Sequence, residues 1–118
     1  MSTQDQYKQE TSQDRKRYLR ERFPLSAYEI AVFCRRNHIR KLSLFGSVLG
    51  DEFSPDSDID VLVEFDPDHI PGFDFVRIER ELSDLLKQKI DLNTPQSISK
   101  YFRDEVLKQA ETVYDDRA

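Results

Sequence analysis

Apolar positions along this chain fall into short blocks whose period changes several times, with polar loops between them. The pattern sharpens at Phe23. Ser26-Ala27-Tyr28-Glu29 has the spacing of a capping box, with Ser26 as N-cap and Glu29 at the third helical position. Ile30, Ala31, Phe33 and Cys34 continue as a helical stripe that Asn37 can stop. Residues 39–45, Ile-Arg-Lys-Leu-Ser-Leu-Phe, are short and apolar enough for a strand, which Gly46 punctuates. The clearest element is a second strand, residues 58–65. Its one face carries Ile59, Val61, Val63 and Phe65, and the other Asp58, Asp60, Leu62 and Glu64. Phe75, Val76, Ile78, Leu82, Leu85 and Leu86 then recur at helical spacing, which predicts a helix over 74–87. Residues 89–93 alternate again, with Ile90 and Leu92 opposite Asp91. Phe102, Val106, Leu107, Ala110 and Val113 predict a last helix over 99–113.

Helix, strand, strand, helix, strand, helix is an α/β (α+β) layer arrangement, a small mixed β-sheet flanked by helices. The strands are too few for a doubly wound dinucleotide fold, and no GxGxxG follows any of them. Residues 1–22 differ from the rest, since Tyr7, Tyr18 and Leu19 are nearly their only large apolar side chains. The expected organisation is a polar N-terminal extension over 1–22 and one domain over 23–118. That extension is a solvated helix, a disordered arm, or a segment that orders on a partner.

Composition narrows the function. The 118 residues suit one domain, and eight Phe with five Tyr supply buriable area despite 35% charged residues. A net charge of −5 argues against direct nucleic-acid binding, which needs a basic stripe, and is compatible with a basic protein partner. Cys34 stands alone, which excludes a disulfide within one chain and favours a small buried hydrophobe. No run approaches a membrane span and the N-terminus has no apolar signal core, so a cytoplasmic protein away from membranes is expected. His38 and His69 are expected on the surface.

Three features carry the chemistry. Gly46-Ser47 sits where a strand ends. Asp58 and Asp60 project from one face of one strand, and Asp91 is the acid on the next, able to meet them if the two strands are neighbours. Three gathered carboxylates repel one another unless a cation neutralises them, and hard oxygen ligands select Mg²⁺ or Mn²⁺. Mg²⁺ completes its shell with water and substrate phosphates, which suits a nucleoside triphosphate. Gly46 lets backbone approach a phosphate, and Ser47 offers a hydroxyl and an N–H. Asp56, Asp58 and Asp60 also begin a calcium-loop pattern, which fails where Val61 replaces its glycine and Pro67 its glutamate. Gly-Ser, ten residues, then Asp-x-Asp arises by chance in a chain of this length on the order of once in a thousand. The three together favour a metal–nucleotide site over a turn and a solvated acidic loop.

The segment from Leu44-Phe45-Gly46-Ser47 to Asp58-Ile59-Asp60-Val61-Leu62-Val63 resembles the GSx10DxD signature of the DNA polymerase β-like nucleotidyltransferase superfamily. Residues 89–95, Lys-Ile-Asp-Leu-Asn-Thr-Pro, resemble the third-carboxylate strand of its minimal, MNT-type branch, and the likeness runs from about Phe23 to Tyr114. What this implies is the polymerase β-like fold and an antitoxin paired with a HEPN ribonuclease toxin. Its implied reaction moves AMP from ATP to a tyrosine hydroxyl of that toxin. Asp58, Asp60 and Asp91 match the catalytic, metal-binding carboxylates, with two Mg²⁺ ions expected, and Gly46 and Ser47 would hold the triphosphate. One departure is Gly50, where many branch members have an arginine; Lys41, Lys89 and Arg77 are the candidate replacement cations. The alternatives are an antitoxin that neutralises by binding alone, and a transferase acting on a small molecule.

Overall fold

The computed structural model describes residues 18–117; the expected extension over 1–22 falls largely outside them. Its last five residues, 18–22, are helical and lie against the domain, with Leu19 packed on the core. The first full helix, α1 (Ala27–Arg36), starts on the expected box. The Ser26 hydroxyl accepts from the Glu29 amide, the Glu29 carboxylate accepts from the Ser26 amide, and Asn37 caps the other end. Strands β1 (Ile39–Phe45) and β2 (Ile59–Phe65) follow, joined through a 3₁₀ turn over Gly46–Leu49 and a loop. Helix α2 (Asp74–Leu86), strand β3 (Ile90–Asn93), a second 3₁₀ turn (Pro95–Ser97), helix α3 (Arg103–Gln109) and strand β4 (Glu111–Asp115) complete the chain.

The last element departs from the sequence reading. The helix expected over 99–113 is confined to Arg103–Gln109, and Glu111–Asp115 form a strand paired with β1, Leu42 opposite Tyr114 and Leu44 opposite Glu111. Val106, Ala110 and Val113 do keep helical spacing. However, the free edge of β1 offers a row of backbone groups, and Thr112, Val113 and Tyr114 are residue types that suit a strand. Long-range pairing overrode local periodicity.

The sheet has the order β3-β2-β1-β4, with β3 parallel to β2 and the other pairs antiparallel. On one face Leu42, Leu44, Ile59, Val61, Val63, Ile90 and Leu92 meet Ile30, Phe33 and Cys34 of α1 and Ile78, Leu82 and Leu86 of α2. Each large aliphatic side chain so buried contributes roughly 1.5–3 kcal/mol, so this layer fixes which face remains for chemistry. Cys34 has no exposed surface, as expected, and burial pushes its thiol pKa up to about 12. His38 and His69 are exposed as expected, and their rings stack 3.9 Å apart beside Asp66. Among the described residues no helix is long and apolar enough to cross a membrane.

Helix α2 closes on a strained residue. Its C-cap Lys87 sits in the left-handed region at φ 54°, a conformation that glycine adopts without cost from a Cβ. Lys87→Gly is expected to raise stability by about 0.5–1 kcal/mol, read as a higher urea midpoint at unchanged slope.

Candidate active site

The strand register assembles the site. Phe45, the residue before Gly46, pairs with Asp60, and Asp60 pairs in turn with Asp91. Phe45, Asp60 and Asp91 thus lie side by side across three neighbouring strands, each about 4.8 Å from the next along the hydrogen-bonding direction, and Gly46 follows directly where β1 ends. The helices cover the opposite face. Asp58 immediately precedes β2 on the side that bears Asp60.

Gly46 and Asp60 are in close contact. Gly46 has φ +78°, and a Cβ built there would stand 2.4 Å from Asp60 Oδ2, so the carboxylate occupies the space that any other residue would fill. Asp60 also hydrogen-bonds Asp91. Partial burial, the Asp91 charge and the Asp58 charge together push its pKa up to about 6. The Asp60 carboxyl therefore releases its proton at a higher pH than an isolated carboxyl does. Asp58 is more exposed and leans towards Lys89, whose Nζ is 3.7 Å from Asp58 Oδ2. For that reason the three carboxylates do not yet surround a single point, and among the described residues no three acidic, histidine or cysteine side chains do. An exposed ion pair of that length is weak, and a competing divalent cation would displace Lys89 readily. An all-oxygen donor set whose central member is burdened by burial and by the charges of Asp91 and Asp58 fits Mg²⁺, which would relieve that burden.

Ser47 stands in the 3₁₀ turn beside a cavity of about 510 Å³, lined by Gly46, Ser47, Gly50, Asp51, Glu52 and Gln109. A larger groove of about 620 Å³ lies towards the other end of β2, walled by Val63, Phe65, Ile70, Pro71 and Phe75 among others. Its apolar lining offers little to a triphosphate. The Gly46–Ser47 cavity is the one that borders the motif, although Asp51 and Glu52 in its wall carry like charge to a triphosphate.

Supporting side chains arrive from afar. Gln88 Nε2 donates to the Ser57 carbonyl at 2.7 Å and braces the entry to β2 just before Asp58. On edge strand β3, Ile90 N–H donates to Ser83 Oγ at 3.2 Å and Leu92 N–H to Glu79 Oε2 at 2.8 Å, which holds the strand on both sides of Asp91. Arg22 Nη1 donates to the carbonyls of Val48 and Gly50. Sequence reading missed Glu79, Gln88, Gln109 and Arg22, because none lies within a motif. Of the three candidate cations only Lys89 reaches the carboxylates. Arg77 pairs with Asp74 and Glu81 on α2, and Lys41 lies opposite Glu64 and Asp115 within the sheet.

Asp60→Asn tests the crowding. A carboxyl whose pKa is raised by folding loses its proton first in the unfolded chain, so its contribution to stability declines as pH rises from about 4 to about 6. Without added metal, Asp60→Asn is expected to gain about 1 kcal/mol at pH 7.5, solvent screening included, and little at pH 4. Urea titrations at the two pH values check this.

Comparison with known proteins agrees with the geometry. The family described as Polymerase beta, Nucleotidyltransferase matches residues 29–118. A Methanocaldococcus jannaschii protein whose name assigns it protein adenylyltransferase activity is 35% identical over 75 residues, 64% of this chain and 80% of that one. The solved structure of a minimal nucleotidyltransferase superposes with a TM-score of 0.62 at 28% identity, over 85% of this chain and 97% of the other. A Shewanella oneidensis complex, a tri-AMPylated HEPN toxin with its MNT antitoxin, superposes at TM-score 0.55 and 22% identity. It covers 77% of this chain and 71% of that one, and shows a shared fold.

Proposed function

Because the chain belongs to the polymerase β nucleotidyltransferase family, we propose that it is a protein adenylyltransferase of the antitoxin type. It moves AMP from ATP to a tyrosine hydroxyl of a cognate HEPN ribonuclease toxin and thereby silences it. The observation that carries this reading is the pairing of Asp60 with Asp91 on neighbouring strands, with Gly46 packed against the Asp60 carboxylate and Asp58 just before the same strand. The adenylyltransferase relative and the complex with an AMPylated HEPN toxin support a protein acceptor of the HEPN type.

The reaction is a displacement at the α-phosphorus. The tyrosine oxygen forms the new bond to phosphorus, and the bond from that phosphorus to the β-phosphate bridging oxygen breaks, releasing pyrophosphate. Asp58, Asp60 and Asp91 would hold Mg²⁺, which when bound neutralises the triphosphate and makes the hydroxyl more acidic. The Ser47 hydroxyl and amide would donate to the terminal phosphates, and Gly46 leaves room for the Asp60 carboxylate. Asp91, exposed at the edge of the sheet, lies on the acceptor side and can take the hydroxyl proton. The cell compartment in this reading is the cytoplasm, where ATP and the toxin's RNA substrate are found.

An enzyme and a blocking antitoxin differ in stoichiometry. With Mg²⁺–ATP, one part of this chain to about twenty of toxin should abolish RNA cleavage, and omission of ATP should restore it. Protection that needs equimolar chain and ignores ATP would rule out catalysis.

A further inference from the structure

The loop that follows β1 carries no positive charge of its own. Residues 46–57 include Asp51, Glu52 and Asp56 but neither lysine nor arginine. Asp51 and Glu52 line the same cavity as Gly46 and Ser47, so a triphosphate entering there meets like charge. A cation reaches this loop from the helical stretch 18–22. Arg22 Nη1 donates to the Val48 carbonyl at 2.8 Å and to the Gly50 carbonyl at 2.6 Å. Its guanidinium lies 4.1 Å from the ring centre of Tyr18 and 4.9 Å from that of Phe53. The Tyr18 hydroxyl donates to Asp51 Oδ1 at 2.9 Å. Helical turns end in carbonyls without partners of their own, and a charged donor that satisfies two of them at once fixes the turn more firmly than a neutral one.

We propose that Arg22 is a positioning residue for the nucleotide site. It acts through the Val48 and Gly50 carbonyls, holding the Gly46–Leu49 turn so that Ser47 presents its hydroxyl and amide to the triphosphate. Its charge offsets Asp51 and Glu52. Arg22 is not among the residues lining the Gly46–Ser47 cavity, and it reaches the turn through the two carbonyls. This inference rests on the proposed function for its ligand, and on the geometry alone for the stiffness of the turn.

Arg22→Met keeps an apolar stem between the two rings and removes charge and donors, whereas Arg22→Lys returns one nitrogen able to bridge both carbonyls. In calorimetry with Mg²⁺–ATP, Arg22→Met is expected to weaken binding about tenfold and Arg22→Lys about threefold or less. Turnover on the cognate toxin at saturating ATP should stay within about twofold of the native chain, because Arg22 lies outside the reacting atoms. Amide exchange at Gly50, whose N–H donates to the Ser47 carbonyl at 3.0 Å, should accelerate about tenfold in Arg22→Met. Unchanged exchange overturns the proposal. So does loss of turnover with ATP affinity intact, or a lysine variant no better than the methionine one. Should Arg22→Met fail to fold, Gly50 exchange in Arg22→Lys decides the matter: faster exchange than in the native chain supports the proposal and unchanged exchange overturns it. If the native chain transfers nothing to the toxin, the proposed function fails, while the exchange result still judges the positioning role.

Discussion

Replacing Asp58 and Asp60 together by alanine is expected to abolish adenylyl transfer, lowering the rate at least about a thousandfold, while the fold persists. Asp60 projects from the face of β2 opposite the aliphatic layer and Asp58 precedes the strand, so their loss opens no cavity among Ile59, Val61 and Val63. Stability should hold or rise, because the variant no longer gathers three carboxylates. Burial and the charges of Asp91 and Asp58 keep Asp60 at a pKa of about 6, and removing two of the acids ends that repulsion. Transfer measured beside a thermal melt distinguishes this from simple unfolding. An inactive variant that melts well below the native chain would assign the aspartates a structural role, and an active one would place the chemistry elsewhere.

Gly46→Ala is the second large effect. The backbone there is held at φ +78°, and the new Cβ would meet Asp60 Oδ2 at 2.4 Å and Asp60 Cγ at 3.3 Å. Such strain in a non-glycine residue costs about 1–3 kcal/mol, and the carboxylate must also leave its place beside Asp91. Transfer is therefore expected to fall about a hundredfold, with stability lower by about 1–2 kcal/mol. Gly50→Ala is the matched control. Gly50 has φ −136°, and a Cβ there meets nothing within 4 Å, so activity and stability should stay near native. Activity assays and urea unfolding of the pair give the comparison. Equal, small effects at both glycines would remove the close approach at Gly46 from the account.

Much of this site was legible because its residues lie in local patterns. Gly46 follows an apolar strand, and Asp58 and Asp60 share one face of the strand whose other face is Ile59, Val61, Val63 and Phe65. The parity of a strand sends alternate side chains to opposite faces, so the burial of Ile59 and Val61 follows from the same arithmetic that exposes the acids. Asp91 required one further fact, that β3 is the neighbour of β2, and the observed pairing of Asp60 with Asp91 supplies it. Helix α2 ran where the spacing of Ile78, Leu82 and Leu86 placed it.

What escaped is what depends on distant segments. Strand β4 carries Val113 at helical spacing from Val106 and Ala110, and only the unpaired edge of β1 makes it a strand. Arg22 belongs to a segment with few apolar residues, and its partners lie 26 and 28 positions away. Glu79 and Gln88 look like solvated helix-surface residues until β3 and the loop before β2 are brought against them. Gly50 exposed a missing cation in the sequence, yet no local pattern named Arg22 as the residue that reaches its carbonyl.

The most direct measurement of the central claim is the intact mass of the cognate HEPN-type toxin after incubation with this chain and Mg²⁺–ATP. The account predicts one or more increments the size of an AMP group, mapping to tyrosine and missing when the Asp58→Ala, Asp60→Ala chain is used. An unmodified toxin mass in a complex that nevertheless forms would contradict it, and would make this domain an antitoxin that works by binding.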